Sequence, residues 1–363
     1  MRAAAAVLVC LIVALGIILL VWRSKSANDT GQPATPLPQA GLPQAGSPQA
    51  AGPSATAALP DSAPTRVYAH NLMLRKGPNF RIYVRWLRGE MTRTRPSVVP
   101  SFDDSESFFL NVKTGVIRAN IGDIGNFLNA GGVAQSPLKN IKLVADGDQI
   151  KLTGTVRKIV PLPIEMKGTI APASGNRIQI HVTKLSVLKI PFKGLLGAFH
   201  VDISDLFDPK GIPGIQVSGN DILLDTKTLL PAPHIRGELT KVRVVSPDIE
   251  EVFGNAENDV SRVEQWRNFL RLREGTLEVG KLTMRHVDLI MIDTSNDGWF
   301  DLDLAHYQQQ LVNGYTRMTP QAGLQIFMPD LDNIPRNATN QNISIEWMKN
   351  RNAPIPSDVT DHQ

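Results

Sequence analysis

The sequence predicts an α+β fold: a curved antiparallel β-sheet packed around amphipathic helices, preceded by a single transmembrane helix and a disordered Pro-rich tether. Three observations predict it. Residues 3–22, AAAAVLVCLIVALGIILLVW, carry no charge, and about 20 such residues in a helix match the hydrocarbon thickness of a bilayer. Residues 27–65 hold eight prolines and no aromatic side chain. Beyond them, short runs of alternating apolar and polar residues recur between Gly, Asn and Asp turns, interrupted by stretches of helical period.

The first segment reads as a retained anchor over residues 1–25. Its apolar run exceeds that of a cleaved signal, and Val21-Trp22-Arg23 offers no small-x-small cleavage site. Arg2 and the α-amine compete with Arg23 and Lys25 over orientation, but a two-residue head and a long tail favour export of the tail. Residues 26–65, with their near-repeat LPQAG, LPQAG, SPQAAG, form a linker that buries too little apolar area to order itself. A β-rich domain over 66–335 and a polar tail over 336–363 follow. The net charge of +4 and the pI near 9.1 permit an anionic surface as partner without demanding nucleic acid. Cys10, the one cysteine, lies in the anchor, which excludes cysteine catalysis and thiolate metal sites from the exported part.

Residues 66–90 alternate around Gly77-Pro78-Asn79 and read as a hairpin, rich in Arg75, Lys76, Arg81, Arg85, Arg88, Arg93 and Arg95. Arg81, Arg85 and Arg88 are candidates for anionic headgroups; the bland alternative is a solvated, charged strand face. Residues 108–119 read as a strand. Ile121, Ile124, Phe127 and Leu128 place an apolar stripe on a short helix ended by Gly131-Gly132. A hairpin over 138–157 turns at Asp146-Gly147-Asp148, and strands over 164–170 and 178–182 flank Ser174-Gly175-Asn176. At Leu185 and Val187 the parity flips, which predicts a sheet-curving bulge. Phe192, Leu195, Leu196, Phe199, Ile203, Leu206 and Phe207 share one helical face, which either lines a lipid cavity or packs beneath a sheet. Residues 215–223 and 235–245 alternate again. Ile249, Val252, Phe253, Val260, Val263, Trp266 and Leu270 predict one or two helices over 248–273, and alternation resumes over 277–292.

Chemical motifs are sparse. Asp293, Ser295, Asp297 and Asp301 occupy ligand positions of half a calcium loop, with Gly298 at its turn. Leu304 stands where the closing bidentate carboxylate belongs, so the loop is equally a hairpin turn. The seven histidines show no metal-ligand spacing, and no nucleophile or phosphate-binding motif appears. The reading is a non-enzymatic protein without a cofactor.

Four stretches carry a resemblance: Asp123-Ile124-Gly125-Asn126-Phe127-Leu128-Asn129, Leu138-Lys139-Asn140-Ile141-Lys142-Leu143, Leu152-Thr153-Gly154-Thr155-Val156 and Gly211-Ile212-Pro213-Gly214-Ile215. Over about residues 110–245 the chain resembles bacterial LmeA-like phospholipid-binding proteins of the tubular lipid-binding superfamily. The resemblance implies a curved sheet enclosing an apolar groove for acyl chains. Phe192, Leu195, Leu196, Phe199, Ile203 and Phe207 are then the expected lipid contacts. The expected protein is a membrane-anchored, envelope-facing lipid binder whose partners are membrane lipid and other envelope proteins. The alternative is a structural adaptor with a filled core.

Overall fold

Alternating residues become strands in two separate sheets. The computed structural model describes residues 63–76, 80–132, 138–157, 161–187, 213–255, 258–259 and 265–334. The expected anchor, the 192–207 segment, the polar tail and the expected tether up to residue 62 lie outside them; Thr65, the last residue assigned to the tether, instead opens the first strand. Among the described residues no helix is long and apolar enough to cross a membrane.

The larger sheet begins with β1 (Thr65–Arg75), β2 (Arg81–Arg93) and β3 (Phe108–Asn120) and is completed late in the chain. Its later strands are β10 (His234–Gly237), β11 (Leu239–Val245), β12 (Asp248–Phe253), β13 (Phe269–Val279), β14 (Leu282–Asp293), β15 (Phe300–Asp303), β16 (Tyr315–Met318) and β17 (Leu324–Met328). The order is β11-β12-β3-β2-β1-β13-β14-β17-β16, with β10 added to β3 and β15 to β1. Neighbours are mostly antiparallel, and β10–β3, β15–β1 and β14–β17 are parallel. On the edge away from β2, β1 serves two partners because Asn71 turns the strand with a φ of 46°, a conformation asparagine tolerates. Residues before it pair with β13, and residues after it pair with β15. One face of this sheet holds the main core, where Leu272, Leu277, Leu289, Met291, Phe300, Leu302 and Met328 are wholly buried.

The smaller sheet occupies the middle of the chain. It contains β4 (Leu138–Asp146), β5 (Gln149–Arg157), β6 (Pro161–Ala173), β7 (Arg177–Val187), β8 (Ile215–Ser218) and β9 (Asp221–Leu224), ordered β4-β5-β6-β7-β9-β8 and wholly antiparallel. Two bulges bend it. In β7 the pairs Lys167–Lys184 and Gly168–Val182 leave Thr183 as the extra residue, at the predicted parity flip. A Cβ on Gly168 would lie 2.7 Å from the His181 carbonyl oxygen, so only glycine admits this approach. The second bulge falls between Lys139 and Lys142, where Asn129 hydrogen-bonds both backbone groups of Ile141.

Among the described residues three short α-helices accompany the sheets: α1 (Ile121–Phe127), α2 (Thr226–Leu229) and α3 (Tyr307–Val312). The Asn120 side chain starts α1 by accepting hydrogen bonds from the Gly122 and Asp123 amides. The α+β expectation is thereby corrected. Strands dominate, two large sheets replace one sheet wrapped on helices, and seven residues is the longest α-helix among those described.

The helical expectation is also overturned at both ends of 248–273, where β12 and the start of β13 stand; Val260 and Val263 lie outside the described residues. The cause is burial on both faces. Ile249, Glu251 and Phe253 point one way, while Val252 packs against Trp86 and Val116 on the other and Glu250 binds Arg118 and Arg243 there. A strand covered on both sides loses its period of two.

Candidate ligand-binding groove

The inner face of the smaller sheet is apolar because one parity of every strand is. β4 presents Ile141 and Leu143, β5 presents Ile150, Leu152 and Val156, and β6 presents Ile164, Met166 and Ile170. Ile178, Ile180 and Leu185 of β7, Ile215 of β8, and Ile222 and Leu224 of β9 extend the surface. The other parity is polar, with ion pairs Lys151–Glu165 at 2.9 Å and His181–Asp221 at 2.7 Å.

This face is not filled by a second layer of described side chains. Ile124, Phe127 and Leu128 from the α1 region close one side; Leu229, Leu230, Ile249 and Phe80 close others. Between them lies a groove of about 1580 Å³ of empty space, open solvent included. All its described lining side chains are apolar except Thr226 and Glu251. Apolar clefts with a few polar groups at one end are the usual form of a small-molecule or lipid site.

The groove continues into a smaller chamber of about 610 Å³, open solvent included, between β2, β3, β10 and β12. Phe80, Ala119, Thr226, Leu230 and Glu251 line both. Lys76, Asn176 and His234 add polarity to the chamber. Lys76 is 4% exposed, and its ammonium donates to the Pro233 carbonyl oxygen at 2.9 Å. Burial pulls its pKa down to about 8, against the opposing pull of the Glu251 and Glu106 charges. Burial likewise pushes the Glu251 carboxyl up to about 7, with Lys76 partly offsetting it. The exposure that Glu251 retains is to the groove and chamber that it lines. His234 Nε2 faces Glu106 at 3.5 Å, while the buried Nδ1 has no hydrogen-bond partner.

Of the residues expected from sequence, Phe192, Leu195, Leu196, Phe199, Ile203 and Phe207 lie outside the described residues. Arg81, Arg85 and Arg88 line neither groove nor chamber. Arg81 donates to Asp123 at 3.0 Å and Arg85 to Asn258 at 3.3 Å. Arg88 donates to Asp259 at 3.3 Å and lies 4.6 Å above the Tyr68 ring. Burial and the Asp259 hydrogen bond push the Tyr68 hydroxyl up to about 12.

The half calcium loop is partly assembled. Asp293 and Asp297 meet Asp330, with carboxylate oxygens within 4.8 Å of one another. Ser295 donates its hydroxyl to Asp297 at 2.6 Å and its amide to Asp293 at 2.7 Å. Asp301 leaves the group to bind Arg75, which also bridges Asp332 at 2.6 Å. Burial, then the charges of Asp293, Asp297 and Asp301, push Asp330 up to about 7, although the Asp301 amide donates to it. Asp330 arrives through the parallel β14–β17 pairing, a long-range event that local spacing does not encode.

No family model, curated protein or solved structure matches the chain. Its class therefore rests on the fold and site: a two-sheet β protein with one closed core and one open apolar groove.

Proposed function

We propose that this protein binds an acyl-chain lipid along the inner face of its smaller sheet. The carrying observation is the groove itself, which is open and apolar at every described lining side chain but two. Each CH₂ removed from water there contributes about 0.8 kcal/mol, so a single chain supplies ample affinity. The LmeA-like resemblance over 110–245 supports the same reading, because it spans the groove-bearing sheet. The apolar run 3–22 supports placement at a membrane, with the folded part on the exported side. A structural adaptor, the rival, has no use for an apolar face that no described side chain covers.

Photo-crosslinking of the full chain tests this. The detergent-solubilised protein is given a phospholipid with a diazirine in its acyl chain, irradiated and digested. Cross-links on peptides from β5, β6 and β7 are expected, lost in the Leu152→Asp, Ile180→Asp double variant. Cross-links confined to residues 3–22 overturn the proposal.

A further inference from the structure

We propose that groove and chamber form one head-and-tail site for an amphiphile whose head is an acidic oxyanion, a carboxylate or a phosphate, held by Lys76. This inference rests on the lipid-binding reading and adds the head and its location.

Lys76 adjoins the β1–β2 turn beside Arg75, yet the two cations have opposite fates. Arg75 is consumed by Asp301 and Asp332. Lys76 turns inward into a chamber otherwise lined largely by carbon. An ammonium has three donors, and among the described residues one is used, on Pro233. No ion pair joins Lys76 to Glu251; the carboxylate acts on it through space. A buried cation left with free donors is costly, and an anion placed against it relieves that cost.

Glu251 and His234 complete the head end. Glu251 interrupts the apolar column Ile249–Glu251–Phe253 where groove and chamber join. With its proton held near neutrality, it is able to donate to a head oxygen instead of repelling it. His234 Nδ1, also lining the chamber, is a buried polar atom without a hydrogen-bond partner. An amine head would pair with Glu251 but would meet the Lys76 charge in the same small space. The acyl chain then leaves past Thr226 and Leu230, which both spaces share, onto the open sheet.

The test uses the full chain in neutral detergent and four probes with the same C18 tail: oleic acid, oleyl phosphate, oleyl alcohol and oleylamine. Each displaces a fluorescent acyl reporter. A charge-assisted hydrogen bond in a dry site is worth about tenfold in affinity or more, so both acids should displace the reporter at about tenfold lower concentration than the alcohol. Of the two acids, the tighter identifies the source of the head. Lys76→Met should abolish the acid preference while leaving the alcohol unchanged, and Lys76→Arg, which keeps the charge, should retain part of it. Equal binding of acid and alcohol, a preference surviving in Lys76→Met, or oleylamine binding best overturns the inference and leaves the groove standing. Displacement by none of the four overturns the lipid-binding reading as well.

Discussion

The two sheets use the same alternating chemistry to opposite ends. In the larger sheet the inner face is covered, and Leu272, Leu277, Leu289, Phe300 and Leu302 are wholly buried. In the smaller sheet Ile150, Ile164, Met166 and Ile178 keep 6–9% exposure, and Leu143, Leu152, Ile170, Ile180, Ile222 and Leu224 keep more. Composition does not distinguish them; coverage does. A closed apolar face is a stability element, whereas an open one is maintained at some cost to stability.

Four measurements bear on this contrast. The largest effect is expected in the closed core. Phe300→Ala should cost about 3–5 kcal/mol, because its neighbours are held too firmly to collapse into the cavity. A urea midpoint shift worth less than about 1 kcal/mol would put the two sheets on a par.

Second is the polar end of the groove. The folded Glu251 carboxyl titrates at about 7 instead of its ordinary 4.5, so the folded state resists its ionisation. That contribution is full below pH 4.5 and declines as pH rises through about 7, a loss on the order of 3 kcal/mol. Glu251→Gln should remove the decline and be the more stable protein at pH 8, with little difference at pH 4. Its neighbour Glu250 has the opposite sign. Burial raises it, but Arg118 and Arg243 outweigh that and leave it below its usual value. Glu250→Gln should therefore be destabilised at pH 7, with the deficit shrinking as pH falls below the ordinary glutamate range. Thermal melts across pH separate the two.

Third, Gly168→Ala forces a methyl against the His181 carbonyl at the bulge and should cost about 1–3 kcal/mol by urea denaturation. The smallest stability effect belongs to Ile180→Ala, about 1 kcal/mol, because no closed cavity forms in a half-buried groove wall. Lipid uptake should nevertheless fall in that variant, as scored by the cross-linking assay. A core-sized stability loss there would break the contrast.

Much of the smaller sheet is readable from local signals. Its hairpin turns, its strand parity and the bulge at Thr183 all follow from period and turn chemistry. The region over 248–273 is not, because Glu251 stands in an apolar column and Glu250 is buried on the opposite face. The two acids and the doubly covered strand together mimic helical spacing. The larger sheet is only half readable: β1, β2, β3, β10, β11 and β14 show as alternation, but β12, β16 and β17 do not, and the pairings β1–β13 and β14–β17 join distant residues. The groove residues are visible as strand parity rather than as ligand contacts, since alternation cannot say whether a face is covered. Lys76 is one of seven basic residues around a hairpin, and only the fold separates it from the solvated ones. Asp330 has no local signal at all.

The insertion of a complete sheet between β3 and β10 also sets an order of events during synthesis. Each strand from β4 to β9 pairs within its own stretch, so the smaller sheet has every partner once residue 224 has been made. β1, at residues 65–75, waits for β13 at 269–279 and β15 at 300–303. Closing such long loops is slow, and an unpaired strand edge in a growing chain is open to wrong partners. The nascent protein thus holds a finished smaller sheet while β1, already paired with β2 on one edge, still has its other edge unmatched.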